Sequence, residues 1–133
     1  MEVTASGEGY PCTTRYRVLA RRDDATLVAL APESGRQHQL RVQLAALGFP
    51  INVDKQYGPE GVQTFLDYIE SGMTDALRAR LGHDRQALHA FELEFRHPST
   101  GEPARLRAPL SADLVALWGE PLDESIFEFA GAC

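Results

Sequence analysis

Apolar and polar residues alternate with a period of two in two separate stretches of this 133-residue chain. In TTRYRVLA, residues 13–20, Tyr16, Val18 and Ala20 alternate with Arg15, Arg17 and Leu19. That is the period of a strand. RRDD then supplies turn residues, and ATLVALA, residues 25–31, reads as a second, more buried strand. Together they predict a hairpin over 13–31. In the second stretch Phe91, Leu93 and Phe95 alternate with Glu92, Glu94 and Arg96. HPSTGEP is a turn, after which Ala104, Leu106 and Ala108 alternate with Arg105 and Arg107. This predicts a second hairpin over 88–108.

Between the hairpins the period changes. Ser34 is a suitable N-cap, and Gly48 followed by Pro50 is a stop signal. Leu40, Leu44 and Leu47 share one face of a predicted helix over 36–47, while Val42, Ala45 and Ala46 fill much of the other. A helix apolar on two sides is packed on two sides. Residues 59–82 read as a helical excursion. VQTFLDYI forms its first part, SGM interrupts it, and TDALRARLG restarts it with Thr74 as cap and Gly82 as stop. Ser111 caps a short helix, ADLVALW, and 119–133 is an acidic tail. The predicted class is α+β: antiparallel hairpins with helices packed against them, in one domain over 1–133.

Composition narrows the function. The hydrophobic fraction of 44% suits a globular chain, and no apolar run approaches the ~20 residues of a membrane span. MEVTASGEGYPC has no basic region followed by an apolar core, so a secretory signal is not expected. Cys12 and Cys133 are too few and too far apart for a disulfide framework. The expectation is a reduced, cytoplasmic protein. A net charge of −6 argues against a uniformly basic nucleic-acid binder. The acids are heaviest at the end, with Asp113, Glu120, Asp123, Glu124 and Glu128 and no base after residue 112. Arg15, Arg17, Arg21, Arg22, Arg36 and Arg41 could therefore share a locally positive face.

The common catalytic patterns are missing. His38, His83, His89 and His97 have no i, i+4 partner among themselves, so no metal site is expected. There is no GxSxG and no Gly-rich run ending in Lys-Ser or Lys-Thr. What stands out is SGRQHQLRVQLAALGFPINVDKQYG, residues 34–58. Arg36, His38 and Arg41 there fit either a solvated helix face or an anion site beside free backbone N–H groups. The residues alone leave both readings open.

In order along the chain, TTRYRVL, SGRQHQLRVQLAALGFPI, VDKQYG, RQALHAFELEFRHPSTGE and LRAPLSADL resemble the C-terminal half of the RluA-like family of pseudouridine synthases. The likeness spans roughly 13–118. It implies half of a pseudouridine synthase catalytic domain, an enzyme of the isomerase class that acts on uridine in rRNA or tRNA without metal or cofactor. The family's catalytic aspartate lies in a His-Arg-Leu-Asp segment N-terminal to everything matched, and that segment does not occur in this sequence. Its base-stacking tyrosine also belongs to the earlier half, so Tyr10, Tyr16, Tyr57 and Tyr68 do not inherit that role.

Residue by residue, the resemblance makes Arg41 the arginine that pairs with the absent aspartate. It makes Arg36, His38 and Gln39 candidates for RNA contacts or for fixing the helix start, with His38 equally readable as structural. The sequence departs from the family pattern at Gln37, Gln43, Phe49 and Val53. Val53 stands where the family has glycine before Asp54, which suggests altered backbone geometry there. The implied partners are RNA and the missing N-terminal half, with self-association through the surface that half would cover. Alone, the chain is expected to be inactive. The alternative is a degenerate, non-catalytic module that binds RNA or protein.

Overall fold

The computed structural model describes residues 10–127, the side chain of Glu124 excepted. The acidic tail beyond Phe127 lies outside the described residues. They fall into two compact units, 10–86 with 123–127, and 87–122. Among them are two two-stranded antiparallel sheets and four α-helices, an α+β composition. No helix among the described residues is long and apolar enough to cross a membrane.

In the larger unit β1 (Thr14–Arg21) pairs with β2 (Thr26–Pro32). Val18 faces Val28 and Ala20 faces Leu27, so Leu19 is an extra residue in β1. This bulge breaks the simple alternation read from the sequence, because it shifts the residues after it by one. The Arg22 N–H donates to the Ala25 carbonyl and closes the turn. Tyr16, one of the alternating apolar residues, is 70% exposed.

Helix α1 runs Gln39–Ala46, three residues shorter at its start than expected. Ser34 does not cap it. Its hydroxyl donates to the Gln39 side-chain oxygen instead, and the N-cap is His38, held at φ 54 in the left-handed region. Helical geometry cannot pass through such a residue, so the helix starts after it. The other end obeys the sequence. Gly48 adopts φ 85, its N–H donates to the Ala45 carbonyl, and the Phe49 N–H donates to the Leu44 carbonyl. That is a Schellman ending, which needs a residue tolerant of positive φ.

The excursion contains α2 (Gly61–Ser71) and α3 (Asp75–Leu81). The Thr74 hydroxyl accepts from the Leu77 N–H, and Gly82 ends α3 at φ 74. Arg80 ties the two helices together. It pairs with Glu60 and Asp67 and donates to the hydroxyl of buried Thr64. Val42, Ile51 and Leu77 are the buried apolar residues of this unit.

In the smaller unit β3 (Glu92–Arg96) pairs with β4 (Pro103–Arg107), so the strands are shorter than the 88–108 estimate. His97 organises the turn: its Nδ1 accepts from the Ser99 and Thr100 N–H groups. One face is ionic, with Glu92 bonded to both Arg105 and Arg107. The other carries the cross-strand pairs Leu93–Leu106 and Phe95–Ala104, and both leucines are 59% exposed. Helix α4 (Ala112–Trp118) starts after Ser111, as read from the sequence, and buries Leu114 and Trp118.

Candidate functional site

The polar stretch at 34–58 folds into one cluster at the start of α1. Helical spacing puts Gln39 and Val42 on the buried side, with Arg41 beside them. After the Schellman ending, Ile51 is buried and the Asp54 N–H donates back to the Ile51 carbonyl. This turn brings Asp54 against α1.

Arg41 and Asp54 form a two-bond fork. Arg41 Nε donates to Oδ2 and Nη2 to Oδ1, each at 2.7 Å. The Asp54 side chain has no exposed surface. Its Oδ1 also accepts the Gln56 and Tyr57 N–H groups, both at 3.0 Å. Burial is the largest single influence on this carboxyl and favours the neutral acid. The Arg41 hydrogen bonds, then the Tyr57 and Gln56 N–H groups, together outweigh it and hold the acid below its ordinary value. The same hydrogen bonds raise Arg41, so both groups are charged.

The Tyr57 ring completes the enclosure. The guanidinium carbon of Arg41 lies 4.9 Å from its centroid, within cation–π range. The Tyr57 hydroxyl and His38 Nδ1 share a hydrogen bond of 3.0 Å, and the two rings meet edge to face. Gly58 closes the loop with an N–H bond of 2.8 Å to the Asp54 carbonyl. A Cβ at Gly58 would collide with that carbonyl oxygen, so the position admits only glycine without a backbone shift.

Two residues beside the pair hold left-handed backbone, His38 at φ 54 and Val53 at φ 62. Val53, where the resemblance has glycine, thus holds a positive φ that glycine takes readily, and its β-branched side chain bears the strain.

The predicted site residues separate into three groups. Arg41 is at the centre, its Nε–Nη2 edge held by Asp54, while no hydrogen bond to its Nη1 is present among the described residues. Arg36 is exposed, with its guanidinium 4.8 Å from the Tyr10 ring centroid, and His38 is half-buried. Of the two roles expected for Gln39, RNA contact or fixing the helix start, its bonds favour the second. Gln39 is buried, its Oε1 accepts from the Ser34 hydroxyl and the Arg36 N–H, and its Nε2 donates to the Thr13 carbonyl and Thr14 hydroxyl. All four hydrogen-bonding positions of the amide are used, which leaves none for RNA. Gln43 is similarly turned inward, against Thr14 and the Cys12 carbonyl.

Sequence reasoning missed Asp54 as the partner of Arg41 and gave Tyr57 no role. The available signal was a lone acid in a turn just after a helix that carries one arginine beside its buried side.

The site holds a charged, oriented arginine, and comparison with known proteins gives the family. Residues 3–46 match the RNA pseudouridylate synthase family model. Ribosomal large subunit pseudouridine synthase C of Pasteurella multocida is 38% identical over 117 residues, 88% of this chain and 32% of that protein. Synthase D of Vibrio parahaemolyticus is 40% identical over 109 residues, 82% of this chain and 32% of that protein. Synthase D of Xanthomonas campestris is 39% identical over 126 residues, 94% of this chain and 36% of that protein. The chain belongs to the RNA pseudouridine synthase family, and it spans about a third of the length of these curated relatives.

Proposed function

We propose that this chain supplies the arginine-bearing part of an RNA pseudouridine synthase. The reaction detaches a uracil from its ribose at nitrogen, turns it and rejoins it through carbon, so it needs neither oxidant nor cofactor. The acid that starts it comes from a His-Arg-Leu-Asp segment outside this sequence. Arg41 pairs with that acid through Nη1 and the second N–H of Nη2, while Asp54 keeps the opposite edge. A guanidinium has five N–H groups in a rigid fork and can serve two carboxylates at once.

The observation that carries this reading is the state of Arg41: charged, oriented by two 2.7 Å bonds, and with one edge uncommitted among the described residues. Such an arginine keeps a neighbouring carboxylate ionised and aimed without reorganising during the reaction. Arg36 and the Nε2 of His38, uncommitted among the described residues, are the proposed RNA contacts. Ribosomal RNA is the favoured substrate, since the relatives' names specify the large ribosomal subunit. The bare Leu93–Leu106 face and exposed Tyr16 support a further part of this proposal, that the missing half covers apolar surface. Alone, the chain makes no pseudouridine.

The test is complementation. The chain is mixed with the part of the Pasteurella multocida relative that this sequence does not match, and pseudouridine in ribosomal RNA is read by mass spectrometry. Product is expected from the mixture and from neither part alone. Arg41→Lys is expected to lower it at least about 100-fold, because an ammonium cannot bridge two carboxylates in fixed planes. Undiminished product with Arg41→Lys would refute the role given to Arg41.

A further inference from the structure

The Tyr57 ring lies against Arg41, and the pseudouridine chemistry gives it no task. Tyr57 touches the site in three ways: its N–H donates to Asp54 Oδ1, its ring lies 4.9 Å from the Arg41 guanidinium carbon, and its hydroxyl is bonded to His38 Nδ1. Each contact fixes a different part of the residue. The amide anchors the backbone, the hydroxyl stops the ring from turning, and the ring face limits the plane in which the guanidinium lies. His38 reaches the hydroxyl from a strained position, φ 54 at the helix N-cap. Non-glycine residues persist there only when surrounding contacts over-determine them. The Asp54 fork constrains the edge of the guanidinium that it occupies. The ring constrains rotation about that edge, which the fork alone leaves soft.

We infer that Tyr57, braced by His38, is a positioning residue that fixes the plane of the Arg41 guanidinium, and so the direction in which its uncommitted edge points. The inference rests on the functional reading above, in which that edge meets a carboxylate. Tyr57 touches no reacting atom and acts through Arg41.

The test uses the chain of 133 residues and the Arg41 Nε–H, the donor to Asp54 Oδ2. Its nitrogen-15 resonance is assigned by its loss in Arg41→Lys, and its hydrogen exchange is followed by NMR. Tyr57→Leu removes the ring and keeps the backbone amide. Exchange of the Nε–H is expected to rise about 3- to 30-fold, the range a desolvated cation–π contact spans. Tyr57→Phe keeps the ring and loses the brace, and a rise of about 2- to 10-fold is expected from loss of one hydrogen bond. His38→Ala should match Tyr57→Phe, and the two together should do no more than either alone. The β1–β2 amides report global opening and should not change.

Wild-type exchange in Tyr57→Leu would overturn the inference, as would additive effects of His38→Ala and Tyr57→Phe. If Tyr57→Leu does not fold, the Tyr57→Phe and His38→Ala pair decides alone. The readout involves no catalysis. A clamp that passes this test while Arg41→Lys complements fully would refute the proposed function and leave the positioning role intact.

Discussion

Arg41 and Asp54, thirteen residues apart, meet edge to edge through two hydrogen bonds of 2.7 Å, with the carboxylate buried and the guanidinium nearly so. The pair joins the middle of α1 to the turn that follows it. Removing one member of a buried pair leaves the other charged and unpaired, at a cost of about 3–5 kcal/mol. Domains of this kind have only about 5–15 kcal/mol in total. Asp54→Ala is therefore expected to bring the chain close to unfolding in urea titrations. The double variant with Arg41→Ala should be less destabilised than the sum of the singles. Strict additivity would mean that the pair is not coupled.

The same pair fixes an acid limb. The folded-state pKa of Asp54 is lowered from an ordinary 3.8. A carboxyl lowered on folding contributes stability that is complete above its unfolded value and lost as pH falls through the folded one. Stability measured by urea midpoint should thus hold near neutrality and decline below about pH 4. Asp54→Asn should start lower and decline less over that range. An identical acid decline in Asp54→Asn would assign the limb to other carboxyls.

Val53 carries a backbone strain that its neighbours maintain. Its φ of 62 suits glycine, and a β-branched residue there is strained by about 1–3 kcal/mol. Glycine gives back part of that gain through its greater freedom when unfolded. Val53→Gly is expected to stabilise the chain by about 1 kcal/mol, a rise in melting temperature of about 2–8 °C. A lower melting temperature would show that the valine side chain contributes more by packing than it loses by strain.

The Leu93–Leu106 face predicts association. A two-stranded hairpin with a bare apolar face is marginal in water, and such patches favour contact with other chains. Sedimentation should show oligomers that grow with concentration and bind a hydrophobic dye. Leu93→Glu with Leu106→Lys should reduce both. A monomer at high concentration with no dye binding would contradict the reading of this face as one that another segment covers.

Much of the framework was legible in the sequence because local signals controlled it. Gly48, Gly82 and Thr74 ended or started helices through their own backbone chemistry. The two hairpins followed from alternation. What was not legible depended on contacts distant in sequence. Ser34 looked like a cap, but its hydroxyl went to Gln39, whose remaining bonds go to Thr13 and Thr14. His38 ended up left-handed beside Tyr57, nineteen residues away. For Gln39 the resemblance left open an RNA contact or a role in fixing the helix start, and only the fold shows that its amide is fully used. Likewise Arg41 was assigned a partner outside the chain, while Asp54 inside it went unpaired in that reading. Alternation also missed the Leu19 bulge, since one extra residue in β1 leaves no compositional trace.

The central claim is that this chain holds the arginine of a pseudouridine synthase and not its acid. The most direct measurement incubates the purified chain alone with unmodified ribosomal RNA and quantifies pseudouridine by mass spectrometry. No product above a protein-free control is expected, since Asp54 is buried and committed to Arg41, and loss of a principal catalytic group removes most of a rate enhancement of about 10⁶-fold or more. Pseudouridine formed by the chain alone and abolished by Asp54→Asn would contradict the claim and make Asp54 the catalytic acid.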